Sequence, residues 1–340
     1  MHEFLFFESI VFLICLLVYY IIYNSKNKIS LKLNIYDLPN EDRKIHKKKT
    51  SSFGGILLFS SLLIYFIFFV IFKEIYINKL VICFAILTTA YFIIGLLDDA
   101  LKLGAYYKLS VLFILTYGVL FLEPDFTIKK LYFNFGDYEL STSHLDIFFS
   151  TFCILLLVNA LNLADGINGL ATKISIIWIV YFQILLFNIH SSMGISLFLI
   201  LLIVFFDIYK GKYFLGNSGV MLLSIIISLL FIYNYNITIL TKKIFVEEIF
   251  ILFMVPGIDM FRLFLQRIKN KRDPFSADQN HLHHYLIKNF SLNITLFIYF
   301  LLISVPLFLL KIKVMSEITI IIVYATIYSF FIYANTKLQK

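Results

Sequence analysis

Residues 159–170 read Asn-Ala-Leu-Asn-Leu-Ala-Asp-Gly-Ile-Asn-Gly-Leu. Immediately before them runs Ile154-Leu155-Leu156-Leu157-Val158, and after them Ile174 to Leu186 is almost as apolar. In hydrocarbon, irregular and polar backbone survives only where it is buried in protein or lines a cavity. The stretch therefore carries two readings at once. Its flanks are membrane spans, and the break between them borders a site.

The rest of the chain supports the first reading. Of 340 residues, 61% are hydrophobic and 15% charged, against about half and about a quarter in a soluble domain. The excess lies in long blocks of Phe, Ile, Leu and Tyr, and a spanning helix needs roughly 20 such residues. The blocks do not alternate as barrel strands do. The expected fold is an all-α polytopic membrane protein, one transmembrane domain over 1–340, with its motifs between about 37 and 284. Eleven transmembrane helices are expected near 4–23, 53–72, 80–97, 109–122, 146–163, 170–189, 194–207, 219–236, 247–268, 291–310 and 317–335. Met1-His2-Glu3-Phe4 lacks the basic start of a secretory signal, so the first run is expected to be a retained span. The lysines that follow it place the N-terminus outside and, over eleven spans, the C-terminus in the cytoplasm. With that parity, 21 of the 29 Lys and Arg fall on the inner side. Topology and the anionic inner leaflet account for most of the net charge of +8, which calls for no nucleic-acid partner. Cys15, Cys83 and Cys153 sit in apolar runs without ligand spacing and read as core residues.

The same parity puts every polar constellation on the inner face. Asp98-Asp99 closes the third span, and adjacent carboxylates repel unless a cation relieves them; alone, the pair also reads as a solvated helix end. Asn159 and Asn162 are neighbours on a helix. Asp165 lies one turn on, among Gly166, Asn168 and Gly169, more than helix–helix glue requires. Gly216-Asn217-Ser218-Gly219 opens another span, either as a seat for phosphate on free N–H groups or as an ordinary cap with Asn217 or Ser218 at the N-cap. The segment from Arg262 through Arg272 to His281-Leu282-His283-His284 suits an anion, with Arg forks and imidazoles matching phosphate. A zinc site is a rival there, although no HExxH or Cys partner accompanies the histidines. The first inner loop, with His46, Lys47–Lys49 and Gly54-Gly55, reads equally well as a positive-inside anchor.

Taken together, Asp98-Asp99, Asn159–Leu170, Leu215–Gly219 and His281-Leu282-His283-His284, in this order on alternate inner loops, resemble the polyprenyl-phosphate sugar-1-phosphate transferases. More narrowly they resemble the bacterial undecaprenyl-phosphate N-acetylhexosamine-1-phosphate transferases of glycosyltransferase family 4. The phospho-MurNAc-pentapeptide transferases are more distant, having three consecutive histidines. The resemblance implies a Mg²⁺- or Mn²⁺-dependent enzyme of the bacterial inner membrane whose active site faces the cytoplasm. A lipid phosphate would attack the β-phosphorus of a UDP-sugar, by default UDP-N-acetylglucosamine. UMP would leave, and the product would start a lipid-linked envelope glycan such as lipopolysaccharide or a cell-wall polymer. Implied partners are undecaprenyl phosphate, the UDP-N-acetylhexosamine and membrane lipid, with no nucleic acid and with room for a homodimer. Implied catalytic residues are Asp98, Asp99 and Asp165. Lys108, Asn159, Asn162, Asn168, His46, Arg272, His281, His283 and His284 would bind substrate, and Asp165, Asn217 and Asp99 the metal. Three positions depart from the family pattern: Asn217 and Asn168 stand where Asp is usual, and Ser51 where Pro is usual. A member without activity is the reading Asn217 favours. A transporter would place polar residues near mid-span, not at inner span ends.

Overall fold

The computed structural model describes residues 2–39, 49–72, 76–185, 192–238, 244–276 and 278–337. Thirteen α-helices form it: α1 (His2–Asn24), α2 (Lys26–Leu33), α3 (Gly54–Ile71), α4 (Lys79–Leu101), α5 (Ala105–Leu122), α6 (Asp146–Ala164), α7 (Leu170–Leu185), α8 (Ser192–Tyr209), α9 (Gly216–Thr238), α10 (Val246–Lys269), α11 (Leu282–Asn289), α12 (Leu292–Ile312) and α13 (Glu317–Lys337). Each expected span coincides with one of these helices, and α2 and α11 are short additions. Among the described residues, six helices are long and apolar enough to cross a membrane, or seven if the bent α1–α2 pair, kinked by 64°, is one span. The protein is thus a polytopic, helical membrane protein.

The central helix is α9. It packs along α4 over its whole length and against α3, α6 and α7. Apolar side chains from α1, α3, α7, α8, α9, α10 and α12 form the larger core, and α4, α5, α6 and α9 the second. Several polar groups within these cores are paired: the Tyr91 hydroxyl meets Thr116 Oγ1 at 2.6 Å, and Ser224 and Ser228 donate to carbonyls one turn back. Pro256 in α10 cannot donate to the Leu252 carbonyl as a normal residue would. The fully buried Trp178 of α7 donates its indole N–H to that carbonyl at 3.0 Å instead. At the other side of the bundle, Tyr19 of α1 donates to Asp207 of α8 at 2.8 Å and meets the Tyr213 hydroxyl at 2.7 Å.

Among the described residues, two small antiparallel ladders complete the structure. β1 (Tyr36–Asp37) pairs with β2 (Thr50–Ser51) in the first loop. β3 (Lys130–Phe133) and β4 (Tyr138–Ser141) form a hairpin between α5 and α6, on the face away from the motifs. The buried Glu247 fastens it, accepting the Asn134 N–H at 3.0 Å and the Phe135 N–H at 3.3 Å. All three cysteines are free, Cys15 and Cys83 buried and Cys153 partly so, as core residues should be.

Candidate active site

The ends of α4, α6, α8 and α10 and the starts of α5, α7, α9 and α11 meet around one cavity of ≈ 1390 Å³. Asp98, Asp99, Lys108, Asn159, Asn162, Asp165, Asn168, Asn217, His281, His283 and His284 all line it. His46 lies outside the described residues. Arg272 is exposed and is not among the lining residues; Arg267, five residues earlier and buried, is. The geometry exchanges one arginine for the other because α10 runs on to Lys269, which points Arg267 inward and leaves Arg272 in the following turn.

Each part has a local cause. In α4, Asp98 turns to the cavity and Lys108 of α5 donates to its Oδ2 at 2.7 Å, the carboxylate being buried and the lysine half-buried. Asp99, also on the cavity, turns to the start of α9. Its Oδ1 accepts the Asn217 N–H at 2.8 Å, and its Oδ2 accepts the Ser218 N–H at 3.0 Å and the Ser218 hydroxyl at 2.8 Å. The start of α9 is therefore neither an open phosphate seat nor capped by Asn217 or Ser218. Both lie within its first turn, and the cap comes from another helix. Gly54 and Gly55 do not reach the cavity lining; their N–H groups donate to Phe214 O and Leu215 O, holding the approach to α9.

The helix α6 breaks after Ala164, and Gly169, with φ +82, carries the chain into α7. Between them, among the described residues, no hydrogen bond or ion pair engages the Asp165 carboxylate. Burial, with the charge of Asp99 adding to it, pushes Asp165 well above the usual carboxylate range. A Cβ on Gly166 would overlap Nε2 of His283, so the polar turn and the histidine loop are in direct contact.

The histidine loop hangs on a residue that sequence reasoning passed over. Asp259 of α10 accepts from Arg262 Nη2 at 2.9 Å, the Leu282 N–H at 3.2 Å and the Tyr328 hydroxyl of α13, and pairs with His281 Nδ1 at 2.8 Å. A lone Asp inside an apolar helix, three residues before an Arg, was the available signal. His283 is buried with both ring nitrogens unpartnered among the described residues, and Arg267 Nη2 is likewise unpartnered, while its Nε holds Asp278 at 2.8 Å. Burial, reinforced by His284 and His281, drives His283 well below the usual imidazole range, and burial with His281 and Lys288 brings His284 down to about 4. At neutral pH these two rings are uncharged, so the fixed positive charge at this end of the cavity comes from Arg267.

Two groups offer metal donors. Asp259, His281 and His283 place three ligand atoms within 4.8 Å of one another and can hold a metal ion. The carboxylate partner missing from the sequence reading of a metal site comes from α10. Against this, Asp259 is already shared by Arg262, Tyr328 and His281. Asp165 and Asn217 offer hard oxygen donors on the same cavity.

Comparison with known proteins points the same way. Residues 81–235, from α4 almost to the end of α9, match glycosyl transferase family 4. The chain is 25% identical over 288 residues to a probable undecaprenyl-phosphate N-acetylglucosaminyl 1-phosphate transferase of Bacillus subtilis, covering 82% of this chain and 76% of that protein. It is 26% identical over 277 residues to the undecaprenyl-phosphate α-N-acetylglucosaminyl 1-phosphate transferase of Escherichia coli K12 (77% and 71%), and 26% identical over 253 residues to that of Thermotoga maritima (74% and 73%). The family match holds the helices that carry Asp98, Asp165 and Asn217 and stops before the histidine loop. Those helices gather their polar ends on a single cavity, and the part of the chain that builds most of it, residues 81–235, is the part similar to glycosyl transferase family 4.

Proposed function

We propose that this protein transfers N-acetylglucosamine 1-phosphate from UDP-N-acetylglucosamine to undecaprenyl phosphate, releasing UMP. One observation carries the reading: the cavity joins two chemistries. Its floor is Asp98, Lys108, Asp165, Asn217 and Arg267, and its wall is Phe113, Ile114, Phe152, Leu155 and Leu156 of α5 and α6 with Phe261 and Phe264 of α10. A soluble anionic donor needs the first and a polyprenyl chain the second. Small-molecule pockets run to about 1,000 Å³, and ≈ 1390 Å³ suits two substrates. The names of the curated relatives support the same substrates.

In this reading an oxygen of the lipid phosphate bonds to the β-phosphorus of the nucleotide sugar. The bond from that phosphorus to the bridging oxygen breaks, and UMP leaves with the bridging oxygen. Asp98, aimed by Lys108, takes the proton of the lipid phosphate. Arg267, through its free Nη2, and the N–H groups of the histidine rings receive phosphate oxygens. Asn159, Asn162 and Asn168 hold the nucleotide end. Asp165 and Asn217 would hold Mg²⁺, which when bound neutralises the crowded diphosphate. The motif face is cytoplasmic, with eleven spans and the N-terminus outside, in a bacterial inner membrane. A lipid-binding member without turnover is the second reading, favoured by the uncharged Asn217.

Purified protein in detergent with undecaprenyl phosphate, Mg²⁺ and a panel of UDP-sugars tests it. UMP release with UDP-N-acetylglucosamine, lost in Asp98→Asn, is expected. Lipid binding without UMP release from any donor selects the second reading.

A further inference from the structure

We infer that Asp99 is a positioning residue, which caps α9 from α4 and holds Asn217 as a neutral oxygen donor on the cavity. Both its oxygens are spoken for, by two backbone N–H groups and one hydroxyl at 2.8–3.0 Å. Gly95 lies one turn before Asp99 on the same face of α4, and a Cβ there would come within 2.5 Å of Ser218 Cα. The glycine lets the two backbones close, and the aspartate then reaches the amides. Gly216, at φ +76, turns the chain into α9 beneath the same carboxylate.

The electrostatic consequence bears on the residue next to the cap. A helix N-terminus carries about half a positive charge on its free N–H groups. It attracts anions and repels a cation. Asp99 satisfies the Asn217 and Ser218 N–H groups and so cancels the exposed donors of the helix end. Asn217 can then turn its amide oxygen to a cation that the bare helix end would oppose. In a chain with an amide at position 217, Asp99 fixes the backbone of that residue from one hydrogen bond away.

This inference rests on the transferase reading only for what the cation does; the cap is tested without turnover. The full-length protein in detergent is followed by hydrogen exchange of the peptide 214–221, and Mn²⁺ binding by the electron paramagnetic signal of the free ion. Asp99→Ala is expected to speed exchange of the first α9 amides about tenfold, the scale of one lost hydrogen bond, and to weaken Mn²⁺ binding by a similar factor. Asp99→Asn, which keeps the shape and an accepting oxygen, falls between, and Asp98→Asn leaves exchange as in the wild type. Wild-type exchange in Asp99→Ala overturns the cap. Loss of Mn²⁺ binding in Asp99→Asn with exchange still protected makes Asp99 a direct ligand and also overturns the proposal. Failure of the wild type to release UMP would count against the transferase reading alone.

Discussion

Gly166, in the turn between α6 and α7, lies directly against the imidazole of His283, at the start of α11. The two residues are far apart in sequence, and their contact is what makes the polar turn and the histidine loop one wall. A methyl group at position 166 must displace the ring. Gly166→Ala is expected to cut UMP release about a hundredfold, the scale of a misplacement of about 1 Å at a reacting centre, while UDP-sugar binding by titration weakens less. Unchanged release would mean that His283 does not need its place.

Asp165 lines the cavity partly buried, without a hydrogen-bonding partner among the described residues, and withdrawing an unpaired carboxylate from water costs stability. In the absence of divalent cations, Asp165→Asn should melt at or above the temperature of the wild type. Mg²⁺ should raise the melting temperature of the wild type and not of the variant, and UMP release should fall by at least about a hundredfold in the variant. Equal stabilisation of both proteins by Mg²⁺ would remove Asp165 from the metal site.

Trp178 fills the place of the N–H that Pro256 lacks, by donating to Leu252 O. Trp178→Phe keeps an aromatic side chain and leaves a buried carbonyl unsatisfied, at a cost of about 1–3 kcal/mol. Its melting temperature should drop by several degrees, and Pro256→Ala, which restores the backbone donor, should recover part of the loss. No recovery in the double variant would separate the two residues.

Asp278 supplies a pH dependence. Burial opposes its ionisation, but the Asn280 N–H and the Arg267 guanidinium outweigh this and hold it below the usual carboxylate range. An unfolded Asp titrates near about 3.9. The stability from the pair is therefore fully present above about pH 4 and is lost as pH falls through the folded-state value. The gap in melting temperature between wild type and Asp278→Asn should be constant from about pH 7 to 5 and close on further acidification. A gap that widens in acid would contradict the pairing.

The apolar runs alone located the helices, because a bilayer admits only backbone that satisfies itself and the length of each run reports its span. The polar breaks at 98–99, 159–170, 216–219 and 281–284 were legible for the same reason: nothing else makes them tolerable there. Tertiary structure decided how they meet. That Asp99 reaches the amides of α9, that Arg267 and not Arg272 enters the cavity, and that Asp259 carries the histidine loop all depend on which helix faces come together. Those facings follow from close packing at small residues such as Gly95 and Gly166, whose value is a distance to a distant neighbour that sequence spacing does not encode.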